Sequence, residues 1–125
     1  MARVFEFINY WICANAISAS AEIGLGTKFW HRGHGCTVHY KVKIGENCKI
    51  LPNVMIGAKF KNGIPDEAVP VVGDNVFIGT GAVIIGKIRI GKNAIIAANS
   101  VVTKDVPDDC YACGIPAEIK RKRNI

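Results

Sequence analysis

Apolar side chains recur along this chain at every sixth position. Val72, Ile78, Ile84, Ile90, Ile96 and Val102 stand six apart, and four positions after each comes a small or aliphatic residue: Val76, Ala82, Ile88, Ala94, Ser100 and Val106. Glycine often follows the leading aliphatic residue, as Gly73, Gly79 and Gly91. The same register runs earlier through Ile17, Ile23, Val38, Ile44, Ile50 and Ile56, with Gly24, Gly45 and Gly57 behind them and Ala21, Thr27, Val42, Cys48 and Val54 at the fifth position. A period of six suits neither a helix at 3.6 residues per turn nor a long alternating strand. It predicts a coil with three short flat faces, the leading residue pointing into a narrow core beside a small one. Gly-Glu-Asn, Gly-Asp-Asn and Gly-Lys-Asn triplets supply corners that tolerate left-handed backbone angles. Three hexapeptides make a coil of about eighteen residues, so residues 17–107 give roughly five coils.

Two breaks interrupt the period. From Phe29 to Val38 the spacing is nine, and the extra residues fall within Trp30-His31-Arg32-Gly33-His34-Gly35-Cys36-Thr37. From Ile56 to Val72 it is sixteen, a gap holding polar residues, Pro65, Pro70 and Gly63 that reads as a loop thrown out from a corner. Loops on a rigid scaffold are where function is commonly placed. The expected organisation is a capping segment over residues 1–15, an all-β solenoid over 16–107 and a C-terminal tail over 108–125.

Half of the 125 residues are apolar and 13 are glycine, which fits one domain with tight corners better than a helix bundle. The formal charge of +6 includes the cluster Lys120, Arg121, Lys122 and Arg123. That cluster suits either a solvated tail or an anionic partner. No basic helix, zinc-finger spacing or aromatic-interleaved basic motif is present, so a phosphate-bearing cofactor is the expected anion and nucleic acid is not. Cysteines at 13, 36, 48, 110 and 113 are odd in number with no recognisable leader, and the reducing cytoplasm is the expected compartment. Cys110 and Cys113 form a lone CxxC with no second ligand pair, so no metal site is expected from them. The apolar stretch from Val4 to Ile12 is too short to span a bilayer; it is expected to pack on the end of the domain, with a membrane surface as the alternative.

His31-Arg32-Gly33-His34-Gly35-Cys36-Thr37-Val38-His39, the run Val72-Gly73-Asp74-Asn75-Val76-Phe77-Ile78-Gly79-Thr80-Gly81-Ala82 and the closing Gly114-Ile115-Pro116-Ala117 together resemble the hexapeptide-repeat acyltransferases, and within them the serine acetyltransferase-like branch. The resemblance covers about residues 15–120. It implies a left-handed parallel β-helix, a homotrimer with its active site in the groove between subunits, and acetyl transfer from acetyl-CoA to a hydroxyl of a small-molecule acceptor. It also implies that His31 is the general base; His34 and His39 are the competing histidines. An imidazole can take the proton of the attacking hydroxyl and return it to the leaving thiolate. For acetyl-CoA, the matching corner positions are Gly57, Ala58, Gly79, Thr80, Ala97 and Ala98, with Lys104, Lys120 and Arg121 available to the phosphates.

The match departs from that branch at named places. The aspartate that orients the histidine there falls on Ala16, next to Asn15. The acidic residue before the histidine is Trp30, and a further histidine falls on Val69. These departures weaken serine as acceptor and leave a sugar hydroxyl, as in surface polysaccharide O-acetylation, as the alternative, with Trp30 suited to stacking on a ring. A non-catalytic solenoid scaffold is the other alternative. Zinc held by His31, His34 and His39 is not expected from three histidines within nine consecutive residues, and Cys36 is the candidate for a thiol route.

Overall fold

A computed structural model describes residues 2–122, so Arg123 of the basic cluster lies outside the described residues. Three parallel sheets run along a common axis. The first holds Ala16–Ile17, Thr37–Val38, Met55–Gly57, Val83–Ile85 and Val101–Val102. The second holds Glu22–Ile23, Lys43–Ile44, Val71–Val72 and Arg89–Ile90; the third holds Lys28–Phe29, Lys49–Ile50, Phe77–Ile78, Ile95–Ile96 and Cys110–Gly114. Each turn of chain visits the three sheets in order, so the molecule is a parallel β-helix with three faces.

The hexapeptide period produces this directly. Register pairing stacks Val38 on Ile56, Ile84 and Val102, Ile44 on Val72 and Ile90, and Ile50 on Ile78 and Ile96. All ten are buried in one core, and each aliphatic side chain removed from water contributes about 1.5–3 kcal/mol. Strands are short because each hexapeptide must also turn a corner. Asn47, Asn53, Asn75, Asn93 and Asn99 take those corners at φ between 55 and 62°, a region asparagine enters more readily than most side chains.

The two ends carry structure that the six-residue period does not specify. The N-terminal segment is a helix, Ala2–Cys13, which adds one helical element to the all-β expectation. It docks on the first coil through the Glu6 carboxylate, which accepts the Ala19 N–H at 2.6 Å, while Val4, Phe5, Phe7, Tyr10 and Trp11 stay exposed. The described part of the C-terminal tail, residues 108–122, forms strands. Cys110–Gly114 extends the third sheet, with Ala112 stacked on Ile96, and Ala117–Arg121 folds back antiparallel at its edge. The reason is a two-residue slip. Val106, the small residue of its hexapeptide by spacing, instead bridges Ile90 in the second sheet, and the period restarts from it to reach buried Ala112 six positions on. The antiparallel strand then closes an edge that the parallel register would leave open.

The candidate active site

The first register break is a corner with a bulge. Leaving the third sheet after Phe29, the chain makes a tight turn over Trp30–Gly33 in which His31 (φ 53°, ψ 42°) and Arg32 (φ 58°, ψ 23°) are both left-handed. Two such residues without glycine cost about 1–2 kcal/mol each, so something must hold them. The Asn15 Nδ2 donates to the Arg32 carbonyl at 3.0 Å, the His34 N–H closes on the His31 carbonyl at 3.2 Å, and the Gly35 N–H reaches Ala14 O at 3.1 Å. Gly33 is favoured by its φ of 68°; a Cβ there would also press on the tip of the Ile17 side chain, 2.8 Å from Cδ1, which would have to shift. The bulge therefore presents His31 and Trp30 to solvent.

Corner hydrogen bonds show what the bulge stands beside. Asn53 N–H donates to His34 O, Gly81 N–H to Pro52 O and Asn99 N–H to Thr80 O, so His34, Pro52, Thr80 and Ala98 form one row along the solenoid. Gly79 belongs to the same corner; a Cβ there would lie 2.6 Å from Ala98 N. Gly79, Thr80, Ala97 and Ala98 are thus brought together, on the corner that carries His31.

Gly57 and Ala58 are not. They leave the first sheet at a different corner, where Gly57 pairs with Ile85 and would place a Cβ 3.9 Å from His39 Cβ. Lys104 follows the same corner one residue past Thr103, at a cavity of about 340 Å³ shared with Ile115, Pro116 and Glu118. Lys120 and Arg121 sit in the edge strand of the third sheet, opposite Tyr111 and Cys110. One chain therefore does not carry all of the sequence-predicted acetyl-CoA contacts in a single track; they fall into two rows on two corners, with Lys120 and Arg121 apart from both in the edge strand.

The long gap is more ordered than the loop expected of it. Phe60–Lys61 and Ile64–Pro65 form a hairpin turned by Asn62 and Gly63, both at positive φ, the pairing that a two-residue turn of this hand selects. Its base leans back on the Gly57 corner. Glu67 is ion-paired with Lys41, which holds the carboxyl below its usual range and the ammonium above, and His39 stacks on Tyr40 at 4.4 Å while its Nδ1 accepts the Lys41 N–H. Spacing could not reveal this cluster, since Lys41 and Glu67 are 26 positions apart.

The remaining candidates separate cleanly. Cys36 is buried, its thiol donates to Leu51 O at 3.3 Å, and burial pushes its pKa up, which disfavours the thiolate a nucleophile needs. Cys36→Ala is expected to leave turnover within about twofold of wild type, with no acetylated enzyme in the intact mass after acetyl-CoA is added; an acetyl adduct that disappears in the variant would restore the thiol route. Among the described residues no group of three His, Cys, Asp or Glu side chains could hold a metal ion, and no helix is long and apolar enough to cross a membrane.

Residues 70–104 match the bacterial transferase hexapeptide (six repeats) family. The serine acetyltransferase of Synechococcus elongatus is 32% identical over 117 residues, covering 94% of this chain and 47% of that protein. The galactoside O-acetyltransferase of Escherichia coli is 34% identical over 116 residues, covering 86% of this chain and 57% of its own length. A solved serine acetyltransferase in complex with CoA superimposes with a TM-score of 0.84 at 34% identity, covering 94% of this chain and 47% of that one. The chain thus spans about half the length of the curated relatives it matches. The three-faced solenoid is the left-handed parallel β-helix of those enzymes. Repeat, fold and sequence agree over nearly all of the chain, which belongs to the hexapeptide-repeat acyltransferase family, in its serine acetyltransferase-like branch.

Proposed function

We propose that this chain transfers an acetyl group from acetyl-CoA to a hydroxyl of a small acceptor, with His31 as general base. The observation that carries the reading is the exposed histidine on a braced left-handed bulge at the corner lined by Gly79, Thr80, Ala97 and Ala98. Along that corner small side chains let the pantetheine arm approach the backbone at Thr80 and Ala98, while the Gly79 and Ala97 N–H groups are bonded to Ile96 O and Ala112 O within the solenoid. The acceptor oxygen adds to the thioester carbonyl as His31 takes its proton; collapse of the tetrahedral intermediate breaks the C–S bond, and the same proton passes to the CoA thiolate.

Gly57, Ala58 and Lys104 lie on another corner, so they complete the acetyl-CoA track only when supplied by a neighbouring copy. A homotrimer with cyclic symmetry repeats such a contact three times. Lys104, Lys120 and Arg121 are the cations offered to the phosphates.

Serine is one acceptor, as the named relatives suggest. A sugar hydroxyl is the second reading, favoured by Trp30 exposed directly before His31, an indole able to stack on a pyranose ring, and by the likeness to a galactoside O-acetyltransferase. Free-thiol release from acetyl-CoA, measured with serine and a panel of galactosides and other sugars, separates the two. Release stimulated at least about tenfold by one acceptor class is expected; acetyl-CoA that neither binds nor turns over with any of them would overturn the proposal.

A further inference from the structure

We infer that Asn15 is the positioning residue of the turn that carries His31, an inference that rests on the transferase reading above. Its place in the repeat makes the case. Asn15 precedes Ala16, which stacks in register on Thr37, Met55, Val83 and Val101. The residues equivalent to Asn15 in the later coils are therefore Cys36, Val54, Ala82 and Ser100, all buried.

In that row the fold asks for a small side chain whose polar atoms, if any, are satisfied. Val54 and Ala82 have none, Cys36 donates to Leu51 O, and Ser100 Oγ accepts the Gly114 N–H at 3.2 Å. Asn15 is only 3% exposed, and its Oδ1 is buried without a hydrogen-bond partner. An orphaned acceptor in a core position is unfavourable, so the amide is not there to stabilise the solenoid. Its return is the other half of the group. Nδ2 holds the Arg32 carbonyl at 3.0 Å, at the second of two consecutive left-handed residues, and packs where a Cβ on Gly33 would come within 3.5 Å of it.

The branch's orienting carboxylate falls on Ala16, so this chain fixes its histidine through the backbone and not through the imidazole. Releasing the Arg32 carbonyl frees the Arg32–Gly33 peptide, at the second residue of the left-handed pair, and lets the adjoining His31 leave its left-handed conformation. Small displacements of a catalytic group are enough to slow a reaction severely while leaving substrate binding intact.

The test is Asn15→Val in the full chain, a residue the fold already uses at the equivalent position 54. Expected are a melting temperature equal to or above wild type, a KM for acetyl-CoA within twofold, and a kcat lower by on the order of tenfold to a hundredfold. Faster hydrogen exchange is expected at the His34 and Gly35 amides, whose partners are His31 O and Ala14 O. A kcat within twofold of wild type, or a loss that only tracks a falling melting temperature, would overturn the inference. Asn15→Ser, which copies position 100, supplies the same readout if the valine variant does not fold. His31→Ala measured alongside keeps the two ideas apart. If it loses activity and Asn15→Val does not, the positioning role is wrong and the transferase reading stands. If wild type itself shows no turnover, the transferase reading falls, and with it the catalytic role of Asn15, whatever the exchange rates report about the turn.

Discussion

Replacing His31 with alanine is expected to lower acetyl transfer by roughly 10²–10⁴-fold while leaving the fold and acetyl-CoA binding as they are. The effect is large because the chain offers few alternatives within reach of that corner. His39, which a neighbouring copy would bring along with its Gly57 corner, has its ring stacked on Tyr40 and its Nδ1 taken by the Lys41 N–H, and the Cys36 thiol is buried and pointed at a backbone carbonyl. His34 is the informative control. It sits in the corner row itself, with its carbonyl bonded to Asn53, so His34→Ala removes an exposed imidazole two peptides beyond the strained turn. A loss of less than about tenfold is expected there. His34→Ala, an exposed site at an ordinary backbone angle, should stay within about 0.5 kcal/mol of wild type, whereas alanine is less at ease than histidine at the left-handed His31 position, so both variants are assayed well below their melting temperatures. Single-turnover thiol release at saturating acetyl-CoA is the measurement. Equal losses in the two variants would move the base to His34 or make the bulge a binding element; no loss in either would remove the histidine mechanism.

Much of this architecture is legible in the residues because the solenoid repeats its argument in every coil. Ile50, Ile78 and Ile96 each state the same requirement, a branched aliphatic facing a narrow core, and each is met by the next in register. The same regularity made the two breaks visible, and the first of them does carry the braced His31 turn. Legibility ends where the period does. Val106 satisfies the small position of its hexapeptide equally well as the leading position of the next, and only the pairing with Ile90 decides between them. The N-terminal helix escapes a six-residue search because its determinants are local. The braces of the site are non-local in a different sense. Asn15 meets Arg32 across 17 positions, a contact that no spacing rule distinguishes from the many pairs one coil apart. Corners mislead for a related reason: Gly57 and Gly79 look alike as a glycine after a leading isoleucine, yet the sixteen-residue step that carries the hairpin and one six-residue step after it put them two faces apart.

That separation leads to the sharpest expectation about assembly. If the acetyl-CoA track joins the His31 corner of one copy to the Gly57 corner of the next, an inactive variant of each row should repair the other. Gly57→Trp is suited to the second row, because a Cβ at Gly57 meets only the Met55 Cε at 3.4 Å and the His39 Cβ at 3.9 Å, both side-chain atoms, so a bulky side chain can start from that corner without a backbone clash at its Cβ. Each variant alone should fall to background. Within randomly mixed rings of equal parts, a working site needs the intact His31 from one copy and the intact Gly57 from its neighbour. Each condition holds half the time, so about a quarter of wild-type activity should reappear on co-refolding. Were each chain to bind acetyl-CoA on its own surface, no mixture could contain an intact site and activity would stay at background. Recovery therefore reports something a mass measurement does not, namely that the site itself is shared: an oligomer of self-sufficient chains and an oligomer with composite sites have the same mass, and only the second gains function from two defects.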